Sequence, residues 1–570
     1  MPRPATSLSA ELVSTRTPES APASAAGLDE TAWVVPAPSA HQAETDGRRS
    51  PSVWLKLHGA IPFLLLAVAV GIVFWWRGWN VGPVNDGWFT LDAATGRWFP
   101  IRSDLTRALA AWPTALGHAI SPRTFVGLQL VLAGLLYVRA VVVYLLVRRI
   151  VPSDPLAALG VALAAVFYPA DTGLFWLGAL GVHSAVTMAL VALYCFWRSL
   201  DGSAGWLVGA VPAAILSLWS HPTGLALLVA APIAIATWRR FLLTRRQWAV
   251  LASFGAVVVG STLHLVWSLL GGRGRTASVA DVDLASMATM FRFRIERLWL
   301  GGWVDTVDGV TDVQLAVAAM FMLVTLTFLL LGSSRLPSPA RWTTARRLLA
   351  VGFGVIVVGL LPFAVLVEPE HLAPTRTLLL ASAGAALILV AAVRAIPGRR
   401  AGRIMGAFLV SLLAAGGILY GLDERDRWAD DWHRQEVLLA SVVAAVPDPP
   451  PGSGFLLRFE PAAAREVAGL ANRHLALTYA LQYLYDDDAL VGLSDHAAAD
   501  ALVYNLGGIS TERIHVRPVP LERLLVLDVT TLDDVSLVDT SADVPTDLGV
   551  EPAGRACSIL TGAERPSSCP

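Results

Sequence analysis

From Leu57 onward the chain alternates long apolar runs with short polar breaks, and this pattern decides its class. Runs of roughly 20 apolar residues are long enough to cross ~30 Å of hydrocarbon as helices. Such spans are expected at Leu57–Trp76, Phe125–Val147, Pro155–Phe175, Leu177–Trp197, Trp248–Leu270, Thr311–Leu331, Leu348–Val367, Thr375–Val393 and Ile404–Tyr420. The stretch Gly205–Trp238 is too long for one pass and short for two. Arg198 before it and Arg239, Arg240, Arg245 and Arg246 after it belong on one side, which requires an even number of passes. Two short helices meeting at Ser220-His221-Pro222 satisfy this, with Pro222 suited to a first helical position. The sum is about eleven spans, each closing its own backbone hydrogen bonds as lipid demands.

The polar breaks set orientation. Arg48, Arg49 and Lys56 hold the N-terminal tail in the cytoplasm, and Arg148/Arg149, Arg239 to Arg246, Arg335 to Arg347 and Arg394 to Arg403 fall on that same side. An odd number of spans then puts the C-terminal segment outside. Residues 1–52 have no apolar period and read as a disordered cytoplasmic tail. Residues 53–421 form the transmembrane unit and residues 422–570 an extracytoplasmic domain. In that domain Gly454–Phe459, Ile514–Arg517 and Leu524–Asp528 read as strands and Arg465–Tyr485 as a helix, a small α/β arrangement. The fold class is therefore an all-α polytopic membrane protein with a small α/β C-terminal domain.

Composition agrees with this reading. Of 570 residues, 55% are hydrophobic and 15% charged, well below the quarter usual for soluble domains. A net charge of −1, with its basic residues in short clusters between apolar runs, reports topology and gives no reason for a nucleic-acid partner. No Cys/His spacing forms a metal site, and no cofactor is indicated. Cys557 and Cys569 can pair as a disulfide if the tail lies in an oxidising compartment.

Two outside loops carry amphipathic helices. Ser103 caps one, with Leu105, Leu109, Trp112 and Leu116 on one face and Pro113 kinking or ending it. Asp283 caps the other, with Leu284, Met287, Phe291, Ile295 and Leu298 on one face and Arg292 and Glu296 away from it. Such stripes suit helices lying in the membrane interface or packed on neighbouring protein.

The candidate chemistry sits in the outside loops. Asn80-Val-Gly-Pro-Val-Asn-Asp-Gly-Trp88 places Asp86 in a Gly/Pro turn among aromatics, either as a general base or as a solvated loop acid. Phe167-Tyr-Pro-Ala-Asp-Thr-Gly-Leu-Phe-Trp176 repeats the arrangement with Asp171. Val367-Glu-Pro-Glu-His-Leu-Ala-Pro-Thr-Arg376 brings Arg376 to the outer end of a span, where its fork suits a phosphate or lipid headgroups, with His371 nearby. His183 and His221 could line a cavity, together with Trp88 and Trp176. Arg139 lies nearer the cytoplasmic end and is read as a snorkelling, structural cation. Asp281-Val-Asp283 matches a two-acid nucleotide-sugar signature, but Asp283 is already a helix cap and faces the wrong compartment.

An acid in the first outside loop, a second in the next, interfacial helices and an arginine opening a late span resemble the integral-membrane GT-C glycosyltransferases. The likeness is to bacterial relatives of the protein mannosyltransferase and lipid A aminoarabinose transferase group, and covers about Leu57 to Tyr420. It implies a polyprenyl-phosphate-linked sugar donor and a lipid, glycan or protein acceptor at the outer face of the bilayer. Asp86 would be the base, Asp171 the second acid, and Arg376 the lipid-phosphate contact. Asn85-Asp86 stands where many members carry paired acids. Two other classes compete, a polyprenyl-linked glycan flippase and a non-catalytic cell-envelope protein. Flippases tend to carry coupling acids and repeats, which the spans here lack.

Overall fold

The computed structural model describes residues 53–75, 77–84, 87–95, 107–170, 173–239, 243–270, 284–306, 309–335, 341–361, 378–398, 400–497, 502–505, 508–511 and 518–540. By contact the chain divides into two units, Met1–Gly59 and Ala60–Pro570. Of the first, the described residues are the opening turns of helix α1 (Val53–Phe74). Everything below concerns the second.

Its helices follow in chain order as α2 (Gly87–Thr95), α3 (Trp112–Ile120), α4 (Val126–Ile150), α5 (Pro155–Val166), α6 (Leu180–Asp201), α7 (Leu207–Ser220), α8 (Leu225–Trp238) and α9 (Arg245–Leu270). Then come α10 (Leu284–Glu296), a π-helical turn at Arg297–Gly301, α11 (Gly302–Asp305), α12 (Asp312–Arg335), α13 (Arg341–Leu360), α14 (Leu379–Ala395) and α15 (Ala401–Ala445). Among the described residues six helical segments are long and apolar enough to cross a membrane: Val126–Ile150, Leu177–Asp201, Arg245–Trp267, Asp312–Gly332, Trp342–Leu360 and Ala401–Ala445. Five shorter apolar helices of 10–17 residues accompany them, at Gly59–Phe74, Pro155–Val166, Ala204–Ser220, Pro222–Thr237 and Leu379–Ala395. Leu263 and Trp267 of α9, and Val313, Met320, Leu323 and Leu331 of α12, stand exposed along apolar faces. Continuous apolar surface of that extent is bilayer-facing surface, so this is a multi-pass membrane protein.

The basic helix ends gather at one end of the bundle. Arg149 from the end of α4 and Arg239 after α8 both pair with Asp201 at the end of α6. Asp154 caps α5, accepting from the Ala157 amide at 3.0 Å, and pairs with Arg394 from the end of α14 at 2.6 Å. Pro155 fills the first helical position, where its missing N–H costs nothing.

Helix ends differ from the sequence expectation where proline or packing intervenes. The span expected to run through Phe175 stops at Val166, because Pro169 disfavours helical backbone at the residue before it. α7 and α8 meet at Ser220-His221-Pro222 as expected, with Pro222 opening a 3₁₀ turn. The helix expected in the first outside loop begins at Trp112 with Pro113 in its first turn, so the proline starts this helix rather than ending it. Ser103 and Leu105 lie outside the described residues.

α15 is the largest departure. It runs unbroken for 45 residues, through the stretch expected to leave the membrane. Ion pairs at helical spacing, Asp423–Arg427 and Asp431–Arg434, support it through its charged middle. At about 68 Å it is more than twice the hydrocarbon thickness. Its polar middle ties three elements together: Arg425 donates to the Trp75 carbonyl at 3.0 Å, Asp426 accepts from Gln314 of α12 at 2.7 Å, and Arg77 pairs with Asp430 at 2.6 Å.

Beyond α15 lies a sheet of four strands, β1 (Gly454–Phe459), β2 (Val491–Ser494), β5 (Leu524–Thr531) and β6 (Asp534–Thr540), in the order β2-β1-β5-β6. β1 runs parallel to β2 and β5, while β6 is antiparallel to β5. A separate ribbon pairs β3 (Leu502–Asn505) with β4 (Gly508–Thr511). The helix expected over Arg465–Tyr485 is broken into α16 (Pro461–Glu466), α17 (Ala468–Ala471) and α18 (His474–Tyr485). Asn472 and the extended Arg473 make the second break, consistent with the weak helix propensity of asparagine. The strand expected at Ile514–Arg517 falls outside the described residues.

Candidate functional site

Asp86, Asp171, His371, Arg376, Cys557 and Cys569 all lie outside the described residues, and so does the cap at Asp283. What the structure gives is their surroundings in the chain, beginning with Val81–Val84. Gln129 of α4 is fully buried and donates to the Val81 carbonyl at 2.7 Å. Gly82 lies against the indole of Trp432 on α15, where a Cβ would meet ring carbons at 2.5 Å, so only glycine permits this approach. Trp176 donates its indole N–H to the Val84 carbonyl at 3.2 Å. Gly87, opening α2, lies beside Leu177 and Gly178. The described edges of the two acid-bearing loops are therefore in contact.

α2 is held from the other side by the region beyond α15. Trp88 is fully buried, with Phe125, Trp432 and Tyr483 rings at 6.3, 5.8 and 6.1 Å, and Phe89 packs on Tyr479 at 5.0 Å. Tyr479 and Tyr483 belong to α18, so the sheet region reaches the membrane bundle through this helix. Trp88 is thus part of a packed aromatic cluster.

The second loop is gripped by the π-helical turn and α11. Tyr168 donates its hydroxyl to the Leu298 carbonyl at 2.9 Å, within the π-helical turn. Gly302 sits so close to Pro169 that a Cβ would lie 1.4 Å from its carbonyl oxygen. Trp303 meets the Tyr168 ring edge-on at 5.8 Å. Counting back in fours from Gly302 gives Leu298, Arg294 and Met290, all buried. Of the expected stripe, Leu298 is buried and Ile295 half-buried as expected, whereas Phe291 is half exposed, because docking at Gly302 turns Arg294 and Met290 inward. Arg292 and Glu296 pair with each other in solvent-exposed positions, as expected of the face turned away.

Between these elements lies a cavity lined by Tyr168, Leu174, Leu379, Ser382, Tyr420 and Arg139. A second, adjoining cavity also has Arg139 in its wall, together with Val166 and Leu379. Arg139 does not snorkel toward the basic end. It is buried, donating from Nη2 to His183 Nδ1 at 2.9 Å and from Nε to Thr187 Oγ1 at 3.3 Å. Its polar partners on α6 keep it in the bundle, and nothing in the apolar periodicity of α4 signalled them. His183 is fully buried behind Arg139, with Nε2 facing the Gly173 carbonyl at 3.4 Å. His221, at the α7–α8 tip, is half-buried and accepts the Thr223 amide at Nδ1 over 3.3 Å. Trp112 crosses beneath that tip, donating to Ser184 and Ser220, each at 3.1 Å.

Among the described residues no group of three or more histidine, cysteine or acidic side chains is placed to hold a metal. No protein-family model matches the chain, and no curated protein matches it. Among solved structures it is similar to ArnT from Cupriavidus metallidurans in the apo state. The identity is 16%, with 70% of this chain and 82% of that chain covered and a TM-score of 0.35. Superposition of that extent decides neither fold nor chemistry.

Proposed function

We propose that the protein is a membrane glycosyltransferase of GT-C type that moves a sugar from a polyprenyl-phosphate donor to an acceptor at the extracytoplasmic face. One observation carries the reading. Described residues flanking the three candidate side chains make two contacts that support it: Val84 and Gly87 beside Asp86 meet Trp176 and Gly178, while Leu174, three residues after Asp171, and Leu379, three after Arg376, line one cavity. That cavity is lined by a buried cation, two phenols and a serine beside apolar side chains. The basic helix ends lie at the other end of α4 and α6, which the positive-inside rule reads as the cytoplasmic end.

In this mechanism the acceptor hydroxyl attacks the anomeric carbon. Its proton passes to the Asp86 carboxylate as the bond from that carbon to the phosphate oxygen breaks. The bonding pair leaves on the phosphate, whose charge Arg376 neutralises with help from His371, and Asp171 orients the sugar or acceptor. The test is a reconstituted assay with radiolabelled polyprenyl-phosphate sugar and membrane glycolipid acceptors. The wild-type chain consumes the donor, whereas Asp86→Asn accumulates normally in the membrane and loses transfer by about 10²-fold or more. Full transfer by Asp86→Asn would end this mechanism, and donor moved across the bilayer without consumption would favour a flippase.

A further inference from the structure

Arg139 and His183 form a directed pair. A guanidinium only donates, so the contact at 2.9 Å makes His183 Nδ1 an acceptor and leaves the ring hydrogen on Nε2. That N–H points at the Gly173 carbonyl, 3.4 Å away. Thr187 holds the pair from behind, receiving Arg139 Nε at 3.3 Å and donating to the His183 carbonyl at 2.8 Å. Gly173 opens the segment that places Leu174 on the cavity wall and sends the Trp176 N–H to Val84. A polar series therefore runs from α4 through α6 and this segment to the Val81–Val84 stretch. Polar and ionic groups inside a membrane bundle are costly, and an apolar pair would fill the space without that cost. What the pair supplies is direction.

We propose that Arg139 and His183 are positioning residues: Arg139 fixes the His183 tautomer, and His183 Nε2–H anchors Gly173, thereby setting the cavity wall and its tie to Val84. The bearing on activity rests on the transfer reaction proposed above; the structural anchor does not.

The experiment compares His183→Asn with His183→Gln in the full chain in lipid nanodiscs. An asparagine amide reaches Arg139 from the place of Nδ1 but stops short of Gly173, whereas a glutamine amide reaches the place of Nε2. Amide hydrogen exchange at residues 173–178 accelerates about five- to tenfold in His183→Asn, the worth of one lost hydrogen bond. It stays within about twofold of wild type in His183→Gln, and the second half of α6 is unchanged in both. In the donor-consumption assay, kcat falls about 10²-fold in His183→Asn while KM for the polyprenyl-phosphate sugar holds, and His183→Gln restores most of kcat. Equal exchange in wild type and His183→Asn overturns the proposal. Should His183→Asn fail to accumulate, Arg139→Gln is read by the same exchange measurement. A wild-type chain that does not consume the donor refutes the transfer reading alone, since exchange still decides the anchor.

Discussion

A single methyl group at Gly302 tests how α11 grips the Tyr168-Pro169 turn. In Gly302→Ala the new Cβ would stand 1.4 Å from the Pro169 carbonyl oxygen, a backbone atom, whereas real Cβ atoms stay beyond 3.0 Å. One chain must therefore retreat by about 1.6 Å, the difference between those distances. That movement takes the Tyr168 hydroxyl out of reach of the Leu298 carbonyl, now 2.9 Å away. The lost bond and the buried hydroxyl it leaves behind cost about 1–3 kcal/mol, and overpacking adds about 1–3 kcal/mol. A loss of about 3 kcal/mol is a conservative expectation from these ranges. Gly301→Ala is the internal control. Its Cβ would meet the Arg297 side chain at 3.1 Å and the Glu296 carbonyl oxygen at an ordinary 3.9 Å, and alanine gains up to about 1 kcal/mol in helix propensity. Thermal unfolding of both variants in one detergent at one scan rate, with hydrogen exchange over residues 297–305, gives the comparison. Equal melting of the two, with no faster exchange in Gly302→Ala, would refute the close docking of α11 on Pro169.

Two further outcomes follow from polar groups elsewhere. Asp154 combines a cap on α5 with the Arg394 pair, and its side chain is nearly fully buried while that of Arg394 is only one-fifth exposed. Asp154→Asn keeps the cap but removes the negative charge beside Arg394, costing about 3 kcal/mol; Asp154→Ala costs about 1 kcal/mol more, and Arg394→Met recovers part of the loss in either background. Unfolding of the four single and double variants checks this, and indistinguishable Asn and wild-type curves would sink it. At alkaline pH, Tyr485 gives a signed prediction. Burial, then the charge of Asp448, raises its phenol above the usual value of 10.0, and its hydroxyl donates to the Val446 carbonyl at 2.6 Å. The raised folded value favours the neutral phenol, so this stabilisation is intact below pH 10.0 and is lost as pH rises beyond it. The fall in protection of the sheet region above pH 10.0 should therefore be shallower in Tyr485→Phe; an unchanged alkaline slope would argue against it.

Much of the helical plan was readable because lipid imposes one simple requirement on length and apolarity. The hairpin at Ser220-His221-Pro222 needed only the count of basic ends and a proline in its favoured place. Strands β1 and β5 announced themselves through short runs of leucine and phenylalanine bounded by glycine, proline and arginine. The continuity of α15 was not readable in this way: hydropathy falls at Asp423, and charge pairs at helical spacing together with ties to Trp75, Arg77 and Gln314 carry the helix through to the helical stretch legible before Pro447. The face of α10 was readable at Ile295 and Leu298 but not at Phe291, which a π turn and a glycine contact distant in sequence turn outward. Arg139 looked like a cation near a helix end until His183 and Thr187 of α6 supplied its partners. Glycine contacts such as Gly82 on Trp432 depend on the partner's approach, which no local pattern encodes.

The unbroken α15 also fixes phase. Gly421 rests against Val73 and Phe167, and Trp432, eleven positions on, covers Gly82. One residue inserted between them would turn everything beyond by about 100°, carrying Trp432 off Gly82 and swinging the sheet around the helix axis. Seven inserted residues would nearly restore the angle but displace Trp432 by about 10 Å along the axis. The spacing from bundle to sheet is thus a matter of helical register, and length can change in this stretch only by breaking the helix.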